Sequence, residues 1–317
     1  MSRRQDVPVY LFTGFLEAGK TKFIQETLED KRFCNGERTL LLVCEEGEEE
    51  YEPDQFADRR VYIRVVDSPE ELTAENLQKW LADVDGERVV VEYNGMWMLD
   101  RLYGAMPANW MVYQEFLFAD ARSFVSYNAN MRQLVYDKLK SCELVVFNRF
   151  SPAIGKMELH KIVRGASRRA DIAYEYAGGK VEYDDIEDPL PFDLNAPVIE
   201  IGDEDYALWY RDLSEEPKNY EGKTVRFKCR GLQRKRLPPE SLIVGRHVMT
   251  CCVEDIQFAG LVCQADRPLP IPDESWLVLT AKVNFKFSRA YGKKGPVLTY
   301  LSHTPCEPPK QEVATFY

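Results

Sequence analysis

The sequence predicts an α/β domain, with a mostly parallel sheet and helices on both faces, followed by a small β-rich domain of the OB-like barrel class. Three observations lead there. Short apolar runs of strand length alternate with helix-period segments over residues 9–175. A glycine-framed loop joins the first strand to the first helix. Past residues 183–197, which are crowded with acids and prolines, β-rich runs follow one another with only Pro- and Gly-bearing turns between them.

In chain order, the first half reads as strands at residues 9–13, 39–44, 61–66, 88–92, 110–118, 144–147 and 171–175. Helical patterns fall between several of them, at residues 20–29, 73–83, 128–141 and 155–166. Such sheets hold ligands beyond the carboxyl ends of their strands, so residues just after each strand become the candidates. The first is Gly14-Phe15-Leu16-Glu17-Ala18-Gly19-Lys20-Thr21, which fits G-x-x-x-x-G-K-[ST], the phosphate-cradling spacing of a P-loop NTPase. The chemistry needs that order. Gly14 and Gly19 carry no Cβ, so the backbone can bend and approach phosphates closely. The amides between them, with the positive end of the helix starting near Lys20, face an anion. Lys20 would reach the β- and γ-phosphates, and the Thr21 hydroxyl would bind Mg²⁺.

Three further segments end on the same rim: Cys44-Glu45-Glu46-Gly47-Glu48, Glu92-Tyr93-Asn94-Gly95 and Asn148-Arg149-Phe150-Ser151. Glu92 would orient a water or bind the Mg²⁺ through one; the alternative is a carboxylate capping the following helix. Glu45 would reach the Mg²⁺ region when nucleotide orders its loop. Otherwise it is one solvated acid of the like-charge run over residues 45–54.

The 317 residues exceed what one core usually holds, and their 45% hydrophobic fraction suits a globular protein. A net charge of −11, from 41 basic against 52 acidic side chains, argues against sequence-independent nucleic-acid binding. The N-terminal Ser2-Arg3-Arg4 is basic, but the apolar segment after it is far too short for a signal peptide and leads straight into the glycine-framed loop, so none is expected. No apolar run approaches the roughly 20 residues of a membrane span. The eight cysteines then read as free thiols of a reducing, cytoplasmic compartment.

Taken together, these segments resemble the CobW/HypB/UreG-type GTPases, which serve metal-cofactor assembly and metal homeostasis. Thr13-Gly-Phe-Leu-Glu-Ala-Gly-Lys-Thr21 is similar to that family's TGFLGSGKT, and Cys44-Glu-Glu-Gly-Glu48 falls where the family has NEFGE. Glu92-Tyr-Asn-Gly95 resembles its ExxG, Ala119-Asp120-Ala121 its strand-ending Asp-Ala, and Asn148-Arg149 stands at the NKxD position. The resemblance covers residues 7–176 and implies binding of GTP with Mg²⁺, with Asn148 and Arg149 near the base. Two departures matter. Ser151 replaces the aspartate that accepts two hydrogen bonds from guanine, and a serine offers no bidentate carboxylate, so ATP should be tolerated. The family's zinc-bearing CxCC motif is missing too, since residues 48–88 contain no cysteine, and Cys44 alone suits core packing.

A domain boundary is expected near Asn195, giving domains 1–195 and 196–317. Beyond it, β-rich runs span residues 224–231, 242–253, 257–264, 276–287 and 297–302. Tyr220-Glu-Gly222, Val244-Gly-Arg-His-Val-Met-Thr250-Cys251-Cys252 and Trp276-Leu-Val-Leu-Thr280 resemble the C-terminal domain of YcgQ-type subunits of a two-component permease complex. The likeness covers residues 200–303. Zinc on Cys251 and Cys252 competes here with small buried residues filling a barrel. On an unbroken strand His247 stands about 13 Å from Cys251, too far for one tetrahedral zinc. A tight hairpin at residues 254–256 would instead set Cys263 opposite His247.

The expected function is Mg²⁺-dependent binding and slow hydrolysis of GTP or ATP, coupled to metal trafficking, with Lys20 and Glu92 as the catalytic pair. A metalloprotein or permease would be the partner. The alternative is a non-enzymatic switch, in which nucleotide reshapes the acidic loop and presents the β-domain to a protein partner.

Overall fold

The computed structural model describes residues 6–234, 237–250, 255–269 and 271–316. The chain forms two compact units, Met1–Ile186 and Glu187–Tyr317. The division falls at 186/187 rather than near 195 because Leu190, Phe192 and Leu194 of the acidic stretch pack into the second unit's core.

The first unit runs β1 (Val7–Thr13), α1 (Lys20–Glu29), β2 (Thr39–Val43), β3 (Val61–Val65), α2 (Ala74–Asp83), β4 (Arg88–Glu92) and α3 (Leu99–Ala105). It continues with β5 (Trp110–Asp120), α4 (Phe124–Asn130), α5 (Arg132–Leu139), β6 (Leu144–Phe150), α6 (Lys156–Ala166), β7 (Asp171–Tyr176) and β8 (Val181–Tyr183). The sheet order is β3-β2-β4-β1-β5-β6-β7-β8, and every pairing is parallel except the terminal hairpin β7–β8.

The strands form because both of their faces are covered. Val9, Leu11, Leu40, Leu42, Val89 and Val91 point to one side, against Leu77 and Trp80 of α2 and Leu99 and Leu102 of α3. The intervening Phe12, Leu41, Val43 and Val90 meet Ile24 and Leu28 of α1 on the other. Period-2 alternation between two apolar layers is what turns these runs into near-continuous hydrophobic sequence. Leu117, Ala119, Val145 and Phe147 pack similarly with residues of α4, α5 and α6.

Two local differences from expectation have physical causes. The helix expected over residues 128–141 is split at Met131, whose φ of −132° and ψ of 44° leave the helical region. The Asn130 side chain donates to the Ser126 carbonyl at 2.8 Å, competing with the backbone ladder at that point. Helix α3 was not anticipated; it is only 7 residues long and contains a glycine.

The second unit holds β9 (Ile199–Glu200), α7 (Tyr206–Glu215), β10 (Thr224–Leu232), β11 (Ser241–Val248), β12 (Gln257–Gln264), β13 (Trp276–Ser288) and β14 (Lys293–Pro305). The order β11-β12-β14-β13-β10, closed by β10–β11, makes a five-stranded barrel, with β12–β14 its parallel seam. This is the OB-like arrangement expected. Helix α7 was not anticipated either. It plugs the barrel with Tyr206, Trp209 and Leu213, and the Trp209 ring lies 4.6 Å from that of Phe227.

The hairpin expected to set Cys263 against His247 is corrected by the register. His247 pairs with Phe258, and Cys263 pairs with Leu242. The β11–β12 connection starts after Val248, which is opposite Gln257, so it is longer than a tight turn and shifts the partners along.

Candidate nucleotide site

The loop after β1 is built on conformations that only small residues adopt without strain. Gly14 has φ 140°, and a Cβ there would lie 2.2 Å from the Phe118 carbonyl oxygen. Gly19, at φ 87°, caps the N-terminus of α1, and a Cβ on it would come 2.6 Å from the Asn148 amide nitrogen. Gly95 closes in from β4, where a Cβ would sit 2.6 Å from the Gly14 carbonyl oxygen. The backbone between them is left free to wrap an anion at the helix N-terminus. Within the loop, Phe15 and Ala18 are buried, Leu16 is exposed, and Glu17 takes a positive φ of 59°.

Lys20 is almost fully buried. Its ammonium donates to the Gly14 carbonyl at 2.9 Å, to the Phe15 carbonyl at 3.0 Å and to Glu45 Oε2 at 2.5 Å. The other Glu45 oxygen accepts from the Gly95 amide at 3.3 Å. Thr21 Oγ1 donates to Glu92 Oε1 at 2.6 Å, and the Tyr51 hydroxyl donates to Glu92 Oε2 at 2.6 Å. Lys20, Thr21, Glu45 and Glu92 therefore meet in one cluster. Burial pushes the Glu92 carboxyl above the usual carboxylate range, while hydrogen bonds from Thr21 and Tyr51 and the charge of Lys20 pull it back.

Tyr51 escaped the sequence reading, and only its place beside the acidic run hinted at it. Its removal has a definite sign. A carboxyl with a raised pKa favours the fold below its unfolded value, and that contribution is lost as pH rises through the folded value. Tyr51→Phe pushes Glu92 higher still. Thermal melts should show a deficit of about 1.5–3 kcal/mol near pH 8 that shrinks as the pH is lowered and Glu92 takes up its proton. A deficit independent of pH would remove Tyr51 from the Glu92 circuit.

The acidic loop is tied to the phosphate loop at a second point, where the Glu48 amide donates to Glu17 Oε1 at 2.8 Å. Asn148, at the end of β6, donates from its amide nitrogen to the Ala18 carbonyl, and its Oδ1 is buried without a hydrogen-bond partner among the described residues. Arg149 donates to the Glu17 carbonyl at 2.8 Å and pairs with Asp120 at 3.1 Å. Beside them lies a cavity of about 730 Å³ whose lining includes Phe23, Phe118, Asn148, Ser151, Tyr176 and Gly178. It lies next to the loop and has the size of a nucleoside site.

The donor set suits Mg²⁺. Thr21, Glu92 and Glu45 offer hard oxygen atoms beside a glycine cradle, the donor type that an octahedral ion shared with phosphates would take. Among the described residues, no group of three His, Cys, Asp or Glu side chains is placed to hold a metal ion by itself. Cys251 and Cys252 lie outside the described residues. Cys44 is buried, and burial beside Glu92 and Glu45 pushes its thiol up strongly, which suits packing rather than ligation. No described helix is long and apolar enough to cross a membrane.

No curated protein matches the chain. Zn(II)-bound YjiA GTPase from E. coli superposes with a TM-score of 0.43 at 14% identity, covering 86% of this chain and 92% of that one. A Zn(II)-bound triple mutant of YjiA GTPase gives the same score and identity, over 84% and 90%. The hydrogenase maturation factor HypB from Archaeoglobus fulgidus has a TM-score of 0.35 at 12% identity, over 54% and 84%. Likenesses this distant carry no conclusion about activity. Residues 180–313 match the family described as the DUF1980 C-terminal domain. The chain thus joins an α/β unit carrying the G-x-x-x-x-G-K-[ST] loop to a C-terminal region similar to the DUF1980 C-terminal domain.

Proposed function

We propose that the N-terminal unit is a Mg²⁺-dependent nucleoside triphosphatase of the GTPase kind, slow in turnover, whose cycle serves metal trafficking or homeostasis in the cytoplasm. One observation carries the catalytic part. Thr21 and Glu92, 71 residues apart in sequence, share a 2.6 Å hydrogen bond beside the buried ammonium of Lys20. In this reading Lys20 neutralises the phosphates, Thr21 holds the ion and Glu92 orients the water or the ion. Bound Mg²⁺ would supply charge neutralisation between the phosphates. The base lies in the cavity by Asn148 and Ser151. The metal-related part rests on the sequence resemblance, and a metalloprotein or a permease subunit is the partner class it suggests.

Phosphate release by wild type, Lys20→Ala and Glu92→Ala tests the enzymatic part. Each variant should fall by at least about a hundredfold in kcat/KM, and equal release by all three would remove it. Titration of GTP against ATP in the same preparation should give affinities within about tenfold of each other, because no carboxylate at 151 selects guanine. The contacts Lys20–Glu45 and Glu48–Glu17 favour a second reading, a switch in which nucleotide rearranges the acidic loop without turnover. That reading predicts nucleotide binding with background phosphate release.

A further inference from the structure

The barrel unit contains a cavity of about 700 Å³ between the end of α7, the turn Pro217–Asn219, β12 and the β13–β14 hairpin. Its walls are aromatic: Tyr210, Phe285 and Tyr291 are all partly buried. Tyr291 is locked in place. Its hydroxyl accepts from the Val262 amide at 2.7 Å and donates to the Pro296 carbonyl at 2.9 Å, so its ring is held against the β12–β14 seam. The Tyr210 hydroxyl, in contrast, makes no hydrogen bond to any described residue, although burial already raises its pKa.

The rim carries Lys218, Lys293 and Lys294, all exposed. None of the three ammonium groups forms an ion pair among the described residues. In a chain of net charge −11, three unpaired lysines around one cavity are a local reversal of sign. The single carboxylate in the lining, Glu221, is engaged by the Phe285 amide at 3.0 Å. A concave site of roughly 300–1,000 Å³ with apolar walls and a few convergent polar groups is the usual form of a small-molecule pocket.

We propose that this cavity binds a small anion carrying a planar ring, its ring against Tyr210, Phe285 and Tyr291 and its charge toward Lys218, Lys293 and Lys294. Aromatic walls give offset or edge contacts to a flat ring. Ammonium groups serve phosphate, sulfonate or carboxylate as point charges. The Tyr210 hydroxyl supplies the remaining donor. The proposal does not depend on nucleotide binding at the N-terminal unit, because every lining residue lies within residues 210–296.

The test uses the full chain and 1-naphthyl phosphate, followed by titration calorimetry, with 1-naphthol and inorganic phosphate as single-feature controls. Saturable binding should appear in wild type and persist unchanged in Lys20→Ala, which separates this cavity from the N-terminal loop. The exposed double substitution Lys293→Gln/Lys294→Gln should weaken binding by roughly tenfold or more, and each control ligand should bind at least about tenfold more weakly than the probe. Tyr210→Phe should weaken it by a smaller factor. Absence of saturable binding, loss of binding in Lys20→Ala, or equal affinity in the lysine double variant would each overturn the proposal.

Discussion

Gly14→Ala is expected to leave the N-terminal unit folded but destabilised, and unable to hold a triphosphate. The added methyl would lie 2.2 Å from the Phe118 carbonyl oxygen, a backbone atom that cannot swing aside, and φ at this position is 140°. Strain of this sort costs about 3 kcal/mol, which in a unit of this size lowers Tm by roughly 6–12 °C. Relief of the clash must move either β5 or the loop, and the loop is the less supported of the two. A displacement of about 1 Å at a phosphate cradle costs about a hundredfold in affinity or rate. Gly104→Ala is the matched control. No heavy atom lies within 4 Å of a Cβ there, and the residue is exposed within α3. That change should stabilise by about 0.4–1 kcal/mol and leave nucleotide affinity untouched. Calorimetric titration of both variants would decide the matter, and wild-type affinity in Gly14→Ala would mean the loop cradles no phosphate.

What could be read from the sequence follows from how locally each feature is encoded. The loop from Gly14 to Thr21 is contiguous, so its spacing alone announces its geometry. The strands that bury both faces, such as Leu40-Leu41-Leu42-Val43, show as unbroken apolar runs because alternate residues enter two separate cores. Glu92 was legible because it ends such a run. Contacts that depend on how a loop folds back were not. Glu45 stood out by its place just past the second strand, but nothing in residues 45–54 announces its contact with Lys20 or marks Tyr51 as a donor to Glu92. Helix α7 was hidden by its composition. Tyr206, Trp209 and Tyr210 favour strands by propensity, and it is burial against the barrel that makes them helical. The register of β11 on β12 depends on a connection whose length no residue pattern announces, and so His247 went to Phe258.

The second large effect concerns the acid that now occupies Lys20. Glu45 and Lys20 are 9% and 3% exposed and stand 2.5 Å apart, so a γ-phosphate reaching for the ammonium must displace a carboxylate already bound there. Glu45→Gln removes the charge and keeps the shape. A charge-assisted hydrogen bond is worth about 1.5–3 kcal/mol, so nucleotide affinity measured without Mg²⁺ should rise by roughly 10- to 100-fold. The nucleotide-free protein should melt earlier, because Lys20 then lacks its counter-charge in a buried setting. With Mg²⁺ the sign should turn. If the freed Glu45 approaches the ion once the acidic loop reorganises, Gln at this position weakens that approach, and phosphate release falls while binding stays tight. Tighter binding with slower release means one carboxylate serves the closed and the loaded states in turn. Tighter binding with unchanged release leaves Glu45 as a latch alone. Weaker binding without Mg²⁺ would show that the pair supports the cradle instead of blocking it, and the phosphate would then have to enter without breaking the Lys20–Glu45 contact.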